Sequence, residues 1–324
     1  MESLDFIPLH NSLKGVTAAE LMKMDIPEPK WAVPEILPEG CIILAGRPKK
    51  GKSMLALNIG LQIASGEKVL GAIDVQRGTV IYFALEDTYK RLQKRIKTML
   101  QGKDAPDKLV LHRQISNMYE SGLALLEEEI KKYDDLRLVI IDTLKKFNLG
   151  KKRRSKILYD EDYNDISQIK ALADKHNVCI LLIHHVRKQE SDEGDIMDTI
   201  SGTFGLTGGA DGSIVLKRSD HRSAVLYVIG RDVLEAQHIL EYDPDSMSWE
   251  MAGEAKDKKS TQMKQKVYDT IKNSSSPLSP SDIAKFTGYD AQYVKNVLPK
   301  LIDEGGIVKV DRGQYAYIEN KSLP

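Results

Sequence analysis

Residues 40–65 read GCIILAGRPKKGKSMLALNIGLQIAS, and this stretch decides the fold. It opens with an apolar run of strand length and closes with apolar residues at helical spacing. Between them, residues 46–53 read GRPKKGKS, which satisfies the phosphate-loop pattern GxxxxGK[ST]. Because a predicted strand precedes the loop and a predicted helix follows it, backbone amides and the positive helix N-terminus point at one anion. The stretch therefore predicts a nucleotide-binding α/β domain.

The residue types in the loop suit a nucleoside triphosphate and its metal ion. Glycines at both ends of the motif let the backbone curl around phosphate oxygens. Lys52 supplies a positive charge to the β and γ phosphates, and the Ser53 hydroxyl is placed to coordinate magnesium. We therefore expect ATP and Mg²⁺ as cofactors. The predicted nucleotide-binding residues of the loop are Gly46, Arg47, Pro48, Lys49, Lys50, Gly51, Lys52, Ser53 and Met54.

Two carboxylates follow apolar runs further along the chain. Asp142 ends the run RLVIID, where a carboxylate at the carboxyl edge of a parallel sheet can hold the magnesium ion together with Ser53. Glu86 follows TVIYFAL and is expected at the same edge, where it can polarise the water that attacks the γ-phosphate. The competing interpretation of Glu86 is a residue that simply begins a helix. Asp87 beside it is expected to cap that helix.

The first two thirds of the chain alternate apolar runs with helical patterns. This rhythm is typical of a parallel sheet with helices on both faces. After Gly212 the helical patterns stop, and three strand-like runs predict an antiparallel extension of the sheet. The predicted helices are 54–64, 89–100, 123–133 and 163–176, and the predicted strands are 41–45, 79–85, 137–142, 178–185, 213–218, 224–230 and 238–243.

Composition divides the chain into four segments. Residues 1–35 contain several prolines and predict an N-terminal arm of extended or turn backbone. Residues 36–252 form the α/β domain. Residues 253–262 read GEAKDKKSTQ, which is polar, lacks apolar periodicity and predicts a linker. Residues 263–324 predict three helices followed by a β-hairpin, which together make a small winged-helix domain.

Charge and cysteine content set broad limits. The 47 basic and 47 acidic residues cancel, so overall charge neither favours nor excludes a nucleic-acid partner. No apolar segment approaches the roughly 18 residues that a membrane span requires, and no secretory signal is recognisable at the start. Cys41 and Cys179 are the only cysteines and lie in apolar runs, so we expect reduced, structural thiols. A cytoplasmic protein without membrane contact is predicted.

Two histidines end the predicted strand at 178–185. Because side chains alternate along a strand, one of His184 and His185 should face the active edge and the other should face away. Only one is therefore expected to touch phosphate. A zinc site is the competing idea, but His176 and Cys179 lack the usual ligand spacing.

The stretches GKSMLALNIGLQIASG, ALED, IDTLKKF and LIHHVRK together resemble RecA-like ATPases. Within that group they are most similar to the plasmid RepA-type, DnaB-like hexameric replicative helicases. The likeness spans most of residues 40–235, and it implies a RecA-like core with its nucleotide site at a subunit interface. It assigns Lys52 and Ser53 to nucleotide and magnesium, Glu86 as the catalytic base, Asp142 as the Walker B acid and His185 as the γ-phosphate sensor.

The same resemblance implies roles for two arginines. Arg95, in EDTYKRLQKRI, holds the place of an arginine that stacks on adenine. Arg231, in VIGRDVLEA, resembles the finger by which one subunit stabilises charge that develops on its neighbour's γ-phosphate. An ordinary surface arginine is the alternative interpretation of Arg231. The predicted catalytic residues are thus Glu86, Lys52, His185 and Arg231.

Two segments are candidates for binding single-stranded DNA. Residues 145–156, KKFNLGKKRRSK, hold seven basic residues that could neutralise phosphates, although a solvated charged face is the alternative. Residues 187–209 are polar and become glycine-rich, which is typical of a mobile loop, and they resemble the second DNA-binding loop of the RecA group. The predicted DNA contacts are Lys145, Lys146, Lys151, Lys152, Arg153, Arg154, Arg187 and Lys188, with the 201–207 backbone.

The predicted winged helix offers a third surface. Its third helix and wing carry basic and aromatic side chains that a DNA reader could use, but acidic residues lie beside them. DNA and a protein partner are therefore both possible occupants. The candidate contacts are Tyr293, Lys295, Lys300, Lys309 and Arg312.

Together these features predict an ATP-driven DNA helicase or translocase for plasmid or phage-type replication that self-associates into a ring, a hexamer. Two alternatives stay open. One is a RecA- or RadA-like recombination or repair ATPase, which binds DNA without processive unwinding. The other is a nucleotide-switched regulator whose winged helix binds an operator.

Overall fold

The computed structural model describes residues 15–148, 158–185, 208–303 and 305–317. A nine-stranded sheet lies at its centre. One two-stranded sheet precedes it in the sequence, and another follows it. The strands are β1 (Trp31–Val33), β2 (Leu37–Pro38), β3 (Gly40–Gly46), β4 (Thr79–Ala84), β5 (Leu109–His112), β6 (Leu136–Asp142), β7 (Cys179–His185), β8 (Gly212–Arg218), β9 (Ser223–Gly230), β10 (Ala236–Asp243), β11 (Ser248–Glu254), β12 (Ile307–Asp311) and β13 (Gln314–Tyr317).

The central sheet has the strand order β11-β10-β9-β8-β3-β7-β6-β4-β5. The six strands from β8 to β5 in this order run parallel. The strands β9 to β11 then extend the sheet as antiparallel hairpins. The predicted α/β fold, a mostly parallel sheet with an antiparallel extension, is confirmed as a P-loop NTPase core.

Helices follow the strands in the order that the apolar periodicity predicts. Thr88 caps the third helix by accepting a hydrogen bond from the backbone of Arg91, so the expected capping role of Asp87 is wrong. A π-helical turn, Met118–Gly122, precedes the fourth helix. The helices are α1 (Ala18–Leu21), α2 (Lys52–Ser65), α3 (Tyr89–Leu100), α4 (Leu123–Ile130), α5 (Leu144–Phe147), α6 (Leu158–His176), α7 (Ala255–Lys272), α8 (Pro280–Thr287) and α9 (Ala291–Asp303).

Both faces of the parallel sheet are buried. On β3, Ile42 and Leu44 pack in an apolar layer with α2, whereas Cys41 and Ile43 pack with α4 and α6 on the other face. A strand that is covered on both faces needs no polar alternation, which explains the uninterrupted apolar runs in the sequence. The sheet therefore holds its strand ends rigidly between two packed layers.

Several elements differ from the sequence-based expectation. The edge strands β5 and β11 were not predicted, because each is a short run without a continuous apolar core. The predicted linker at 253–262 is the end of β11 followed directly by α7. Trp31–Val33 was assigned to the arm, but it forms β1, and Ala32 and Val33 pack into the layer of α2.

The C-terminal part, from α7 onward, contains the expected three helices and β-hairpin. Ser279 and Asp282 form a capping box at the start of α8, with Pro280 in its first turn. This part has an apolar core of its own, which includes Val267, Ile283 and Leu298. Among the described residues, no helix is long and apolar enough to cross a membrane.

Candidate nucleotide site

The carboxyl edge, where β3, β4, β6 and β7 end, gathers residues from distant parts of the chain. Register places Gly46 of β3 beside His185 of β7. It also places Ala84 of β4 beside Asp142 of β6, and Glu86 follows Ala84 by two residues. Because parallel strands end at one edge, the predicted phosphate loop, metal ligand, base and sensor lie together.

The phosphate loop between β3 and α2 requires glycine at both ends. Gly46 has φ +154°, and a Cβ there would lie 2.9 Å from the carbonyl oxygen of Leu216. Gly51 has φ +102°, and its Cβ would lie 3.2 Å from the ring of Trp249. Neither position accepts a side chain without strain, so the backbone can approach an anion closely. Of the remaining predicted loop residues, Pro48, Lys49 and Lys50 are exposed, and Arg47, Ser53 and Met54 are half-buried.

Lys52 is a buried lysine, with 3% of its surface exposed. Its Nζ donates hydrogen bonds to the carbonyl oxygens of Gly46 at 2.7 Å and Arg47 at 2.9 Å. Burial lowers the pKa of Lys52 to about 8, although Asp142 and Glu86 oppose the shift. The ammonium is therefore mostly charged at neutral pH. It lies across the start of the loop, where phosphate oxygens could replace the carbonyl partners.

Asp142 is buried, and its two oxygens differ. Oδ2 accepts a 2.8 Å hydrogen bond from the Tyr82 hydroxyl, and Ser53 also hydrogen-bonds the carboxylate. Oδ1 is buried without a partner among the described residues. Burial raises the pKa of Asp142 in spite of both hydrogen bonds. An orphaned carboxylate oxygen beside a serine hydroxyl fits Mg²⁺, which prefers oxygen ligands and would offset the burial of the charge.

Glu86 is exposed at the carboxyl edge and is oriented by a neighbour. The buried Thr143 donates its hydroxyl to Oε1 of Glu86 at 3.0 Å. The negative charge of Glu86 acts to raise the pKa of both Lys52 and His185, against the lowering effect of burial. Its carboxylate therefore lies close to both groups. A carboxylate held in this position can accept a proton from an attacking water.

The two histidines of β7 lie on opposite faces of the sheet. His185 is on the same face as Ile183, which packs in the layer of α2, so it faces the phosphate loop. Burial and Lys52 lower the pKa of His185, and its buried Nδ1 has no partner among the described residues. A neutral imidazole with an unpaired ring nitrogen can hydrogen-bond a phosphate. On the other face, burial lowers the pKa of His184 to about 4.

Arg95 lies on α3 and pairs with a carboxylate of the same chain. Its guanidinium hydrogen-bonds Asp87, which also accepts a 2.7 Å bond from Arg91. The Asp87 side chain is only 8% exposed, so this is a partly buried ion-pair cluster. The predicted stacking of Arg95 on adenine stays a prediction.

Arg231 lies at the amino edge, the opposite end of the parallel strands. Arg231 directly follows Gly230, the last residue of β9. Gly230 pairs with Gly212 of β8, which in turn pairs with Ile42 near the start of β3. Four residues of strand separate Ile42 from Gly46, about 13 Å along β3. The Arg231 side chain is 63% exposed, and its Nη1 lies 3.9 Å from Asp211. Arg231 is therefore remote from the phosphate loop of the same chain.

Asp211 links four elements at the amino edge. Its Oδ2 accepts a 3.0 Å hydrogen bond from the backbone of Cys41, and its Oδ1 accepts one of 2.5 Å from Lys170 of α6. Its carbonyl oxygen accepts a 2.9 Å bond from the backbone of Arg231. Sequence reasoning missed Asp211, since a single aspartate before a strand carries no distinctive pattern.

The basic segment after β6 begins inside the described structure. Lys145 and Lys146 are exposed on α5, directly after the site strand. Lys145 contributes to the lowered pKa of His185, so it is near the predicted sensor. The other predicted DNA contacts, at 151–154, 187–188 and 201–207, lie outside the described residues.

Sequence reasoning also missed the aromatic support of the loop. Trp249 of β11 is fully buried, borders Gly51, and donates its backbone N–H to Oδ1 of Asn58 at 3.1 Å. Tyr82, which holds Asp142, lies inside an apolar strand. Neither residue has a sequence signal, because each acts through contacts between elements that are distant in the chain.

One comparison with known proteins bears on this site. The sequence profile of the AAA_25 family, described as an AAA domain, matches residues 9–191, which is more than half of the chain. The match contains the phosphate loop, Glu86, Asp142 and His185. Its members are P-loop ATPases, and the geometry of the carboxyl edge agrees with that chemistry. The chain therefore belongs to the AAA_25 family of P-loop ATPases.

Proposed function

We propose that this ATPase assembles into a ring, a hexamer, that acts as an ATP-driven DNA helicase or translocase in plasmid or phage-type replication. The observation that carries the proposal is the position of Arg231. An exposed arginine at the amino edge is remote from its own nucleotide but available to the carboxyl edge of a neighbour. A ring of identical subunits supplies such a neighbour at every interface, since head-to-tail contacts form a ring when the rotation between subunits closes.

Hydrolysis uses residues of one carboxyl edge and one arginine from the next subunit. Lys52 and the loop amides would bind the phosphates, and Ser53 and Asp142 would hold Mg²⁺, which when bound would supply charge neutralisation for the phosphates. Glu86, oriented by Thr143, takes a proton from the attacking water. Arg231 of the neighbour stabilises the charge that develops on the γ-phosphate.

ATP hydrolysis is coupled to DNA through the segments that follow β6 and β7, the strands that end at the nucleotide site. Lys145 is the first residue of the basic run 145–156, shortly after the end of β6, and it is close enough to His185 to affect its pKa. A sensor that contacts the γ-phosphate can therefore change the position of basic side chains on the DNA backbone. The C-terminal part, read as a winged helix, would recruit or orient the ring through exposed Lys295, Lys300 and Arg312.

Three measurements on the full chain test the proposal. ATP turnover is measured with and without single-stranded DNA, particle mass is measured with and without nucleotide, and strand displacement is followed on a forked duplex. We expect DNA-stimulated turnover, a ring with nucleotide and ATP-dependent unwinding. Hydrolysis that ignores DNA in a monomeric protein would contradict the proposal.

The same measurements separate the rival functions. DNA-stimulated turnover without strand displacement would indicate a recombination or repair ATPase. Sequence-specific binding to duplex DNA that survives deletion of residues 145–209 would indicate a nucleotide-switched regulator. Mixing Arg231→Ala subunits with Lys52→Ala subunits tests the shared site. Where the loop of an Arg231→Ala subunit meets the arginine of a Lys52→Ala subunit, both groups are intact, so ATP turnover should be partly restored.

A further inference from the structure

One carboxylate oxygen at the amino edge lies between two cationic side chains. Oδ1 of Asp211 accepts a hydrogen bond of 2.5 Å from Nζ of Lys170, and the same oxygen lies 3.9 Å from Nη1 of Arg231. The first distance is that of a charge-assisted hydrogen bond, whereas the second exceeds hydrogen-bond range. Lys170 therefore occupies an oxygen that is within ion-pair distance of Arg231.

The Asp211 carboxylate is fixed in this position by β3. Its side chain is only 8% exposed, and its Oδ2 accepts a 3.0 Å hydrogen bond from the backbone N–H of Cys41. A Cβ on Gly40 would lie 2.6 Å from Oδ2, so the strand packs closely against the carboxylate. Because Oδ2 is bound by the backbone, Oδ1 is the oxygen that faces the cations. A buried carboxylate oxygen of this kind needs a positively charged partner.

The backbone of Arg231 is held at Asp211, but its side chain is open. The N–H of Arg231 donates to the carbonyl oxygen of Asp211 at 2.9 Å, while 63% of the arginine side chain is exposed. The guanidinium needs to move by only about 1 Å to form an ordinary N–H···O hydrogen bond with Oδ1. A change of rotamer in a long side chain can provide this movement. Arg231 is therefore able to replace Lys170 as the partner of Asp211.

We infer that Lys170 and Asp211 are positioning residues for Arg231. Lys170 binds Asp211 and thereby leaves the guanidinium of Arg231 available to the nucleotide of a neighbouring subunit. The inference rests on the proposed function, because it concerns the arginine that the shared site uses. Asp174 also pairs with Lys170, at 3.2 Å, but it is 53% exposed and holds the lysine less strongly. Without Lys170, Asp211 pairs with Arg231 of the same chain and withdraws it from the interface.

The first test follows ATP turnover in the full chain with Lys170→Met, which keeps an unbranched side chain but removes the charge. We expect kcat to fall about tenfold with KM unchanged, because one charge-assisted hydrogen bond withdraws Arg231 while the loop contacts remain. Lys170→Arg, which keeps the charge, should retain most of the turnover. Lys175→Met removes a lysine of the same helix that pairs with Glu127, and it should leave turnover unchanged.

Two double variants show whether the loss acts through the arginine. Asp211→Asn removes the charge that captures Arg231, so combining it with Lys170→Met should restore most of the turnover. In an Arg231→Ala chain, Lys170→Met should cause no further loss, because no guanidinium is left to capture. A further tenfold loss in that chain would mean that Lys170 acts independently of Arg231, and the inference would be wrong.

The second test measures the pairing of Asp211 with Arg231 without reference to turnover. Denaturant titration gives the unfolding equilibrium constant with and without Arg231→Ala. In the unaltered chain this substitution should change the constant by less than about twofold, because an exposed pair at 3.9 Å contributes little. In the Lys170→Met chain it should raise the constant about tenfold, because the hydrogen bond has then formed. Equal effects in the two chains would overturn the inference.

The outcomes distinguish this inference from the proposed function. If Arg231→Ala lowers turnover and Lys170→Met does not, the positioning role of Lys170 is wrong and the shared site stands. If Arg231→Ala keeps full turnover, the shared site is wrong. The positioning role then falls with it, even where the titration detects the pair of Asp211 and Arg231.

Discussion

Two buried aspartates lie at opposite ends of the same sheet, and their surroundings differ. Asp211 at the amino edge has protein partners on both carboxylate oxygens, from Cys41 and Lys170. Asp142 at the carboxyl edge has one oxygen without a partner among the described residues. Both oxygens of the first carboxylate have protein partners, whereas one oxygen of the second is open to a ligand as far as the described residues go.

The same residue type thus has two roles: Asp211 stabilises the fold, and Asp142 is available to bind a ligand. A buried polar group without a partner lowers stability, so it persists where a ligand satisfies it. His185 at the carboxyl edge shares this condition, since its buried Nδ1 has no partner among the described residues. The predictions below test whether the carboxyl edge is organised for ligands and the amino edge for stability.

The largest effect is expected for Glu86→Gln. The amide keeps the shape and can still accept the Thr143 hydrogen bond, but it cannot take a proton from water. Turnover should fall by about 10³-fold while ATP binding is retained. Steady-state hydrolysis and nucleotide titration measure the two quantities. Glu128→Gln, an exposed change on α4, is the control, and retained turnover in Glu86→Gln would remove this residue from the base role.

The second prediction compares the two aspartates directly. Asp142→Asn removes a charge that is penalised by burial, so the free energy of unfolding should stay unchanged or rise by about 1 kcal/mol. Its Mg²⁺-dependent turnover should fall about 100-fold, because a metal ligand is lost. Asp211→Asn should instead lower the free energy of unfolding by about 2–4 kcal/mol, because Lys170 loses the more buried of its two carboxylate partners.

Denaturant unfolding and Mg²⁺ titrations check this pair of variants. Asp232→Asn, an exposed change close to Asp211 in sequence, should alter stability by no more than about 0.5 kcal/mol. If Asp142→Asn proves strongly destabilising and Asp211→Asn does not, the distinction between the two edges is wrong.

The third prediction concerns pH. A lysine is charged below its pKa, and the pKa of Lys52 is about 8 before phosphate binds. ATP affinity should therefore be constant toward neutral pH and fall as pH rises through 8, by roughly tenfold at pH 9, because about one tenth of the lysine is then charged. Lys52→Arg keeps its charge throughout, so its affinity, although altered, should not show this decline. Equal pH profiles for both proteins would contradict the assignment.

The smallest effect is expected for Thr143→Val. Valine fills the same buried space but removes the hydroxyl that orients Glu86. We expect kcat to fall about fivefold with KM unchanged, because one hydrogen bond to the base is lost while the nucleotide contacts remain. A rise in KM instead would indicate that Thr143 supports nucleotide binding. Thr143→Ser, which keeps the hydroxyl, should restore most of the turnover.

Much of the fold could be predicted from local pattern. The strands β3, β6 and β7 are apolar runs buried on both faces, and α3 begins and ends where the helical pattern does. The elements that the sequence pattern did not predict share a common physical cause. The edge strands β5 and β11 gain their stability from a neighbouring strand, and α7 starts within a polar stretch that has no apolar period. Pairing partners of this kind are distant in sequence, so no local signal identifies them.

The candidate site divides in the same way. The loop residues, Asp142 and Glu86 were found because a motif or a strand end marks them. Tyr82, Thr143 and Trp249 were not, since each acts on a site residue through a side chain that only folding brings near. Alternation alone left the choice between His184 and His185 open, and the family resemblance assigned His185. The structure shows that His185 lies on the face of the sheet that α2 covers.

The sequence by itself determined the nucleotide chemistry of this protein, because GRPKKGKS needs only its own backbone, its glycines and the following helix to form an anion site. The tertiary structure decided where the groups that use the nucleotide lie. It brought Glu86, Asp142 and His185 to the carboxyl edge and left Arg231 at the other end, because strand order and register depend on packing between distant segments.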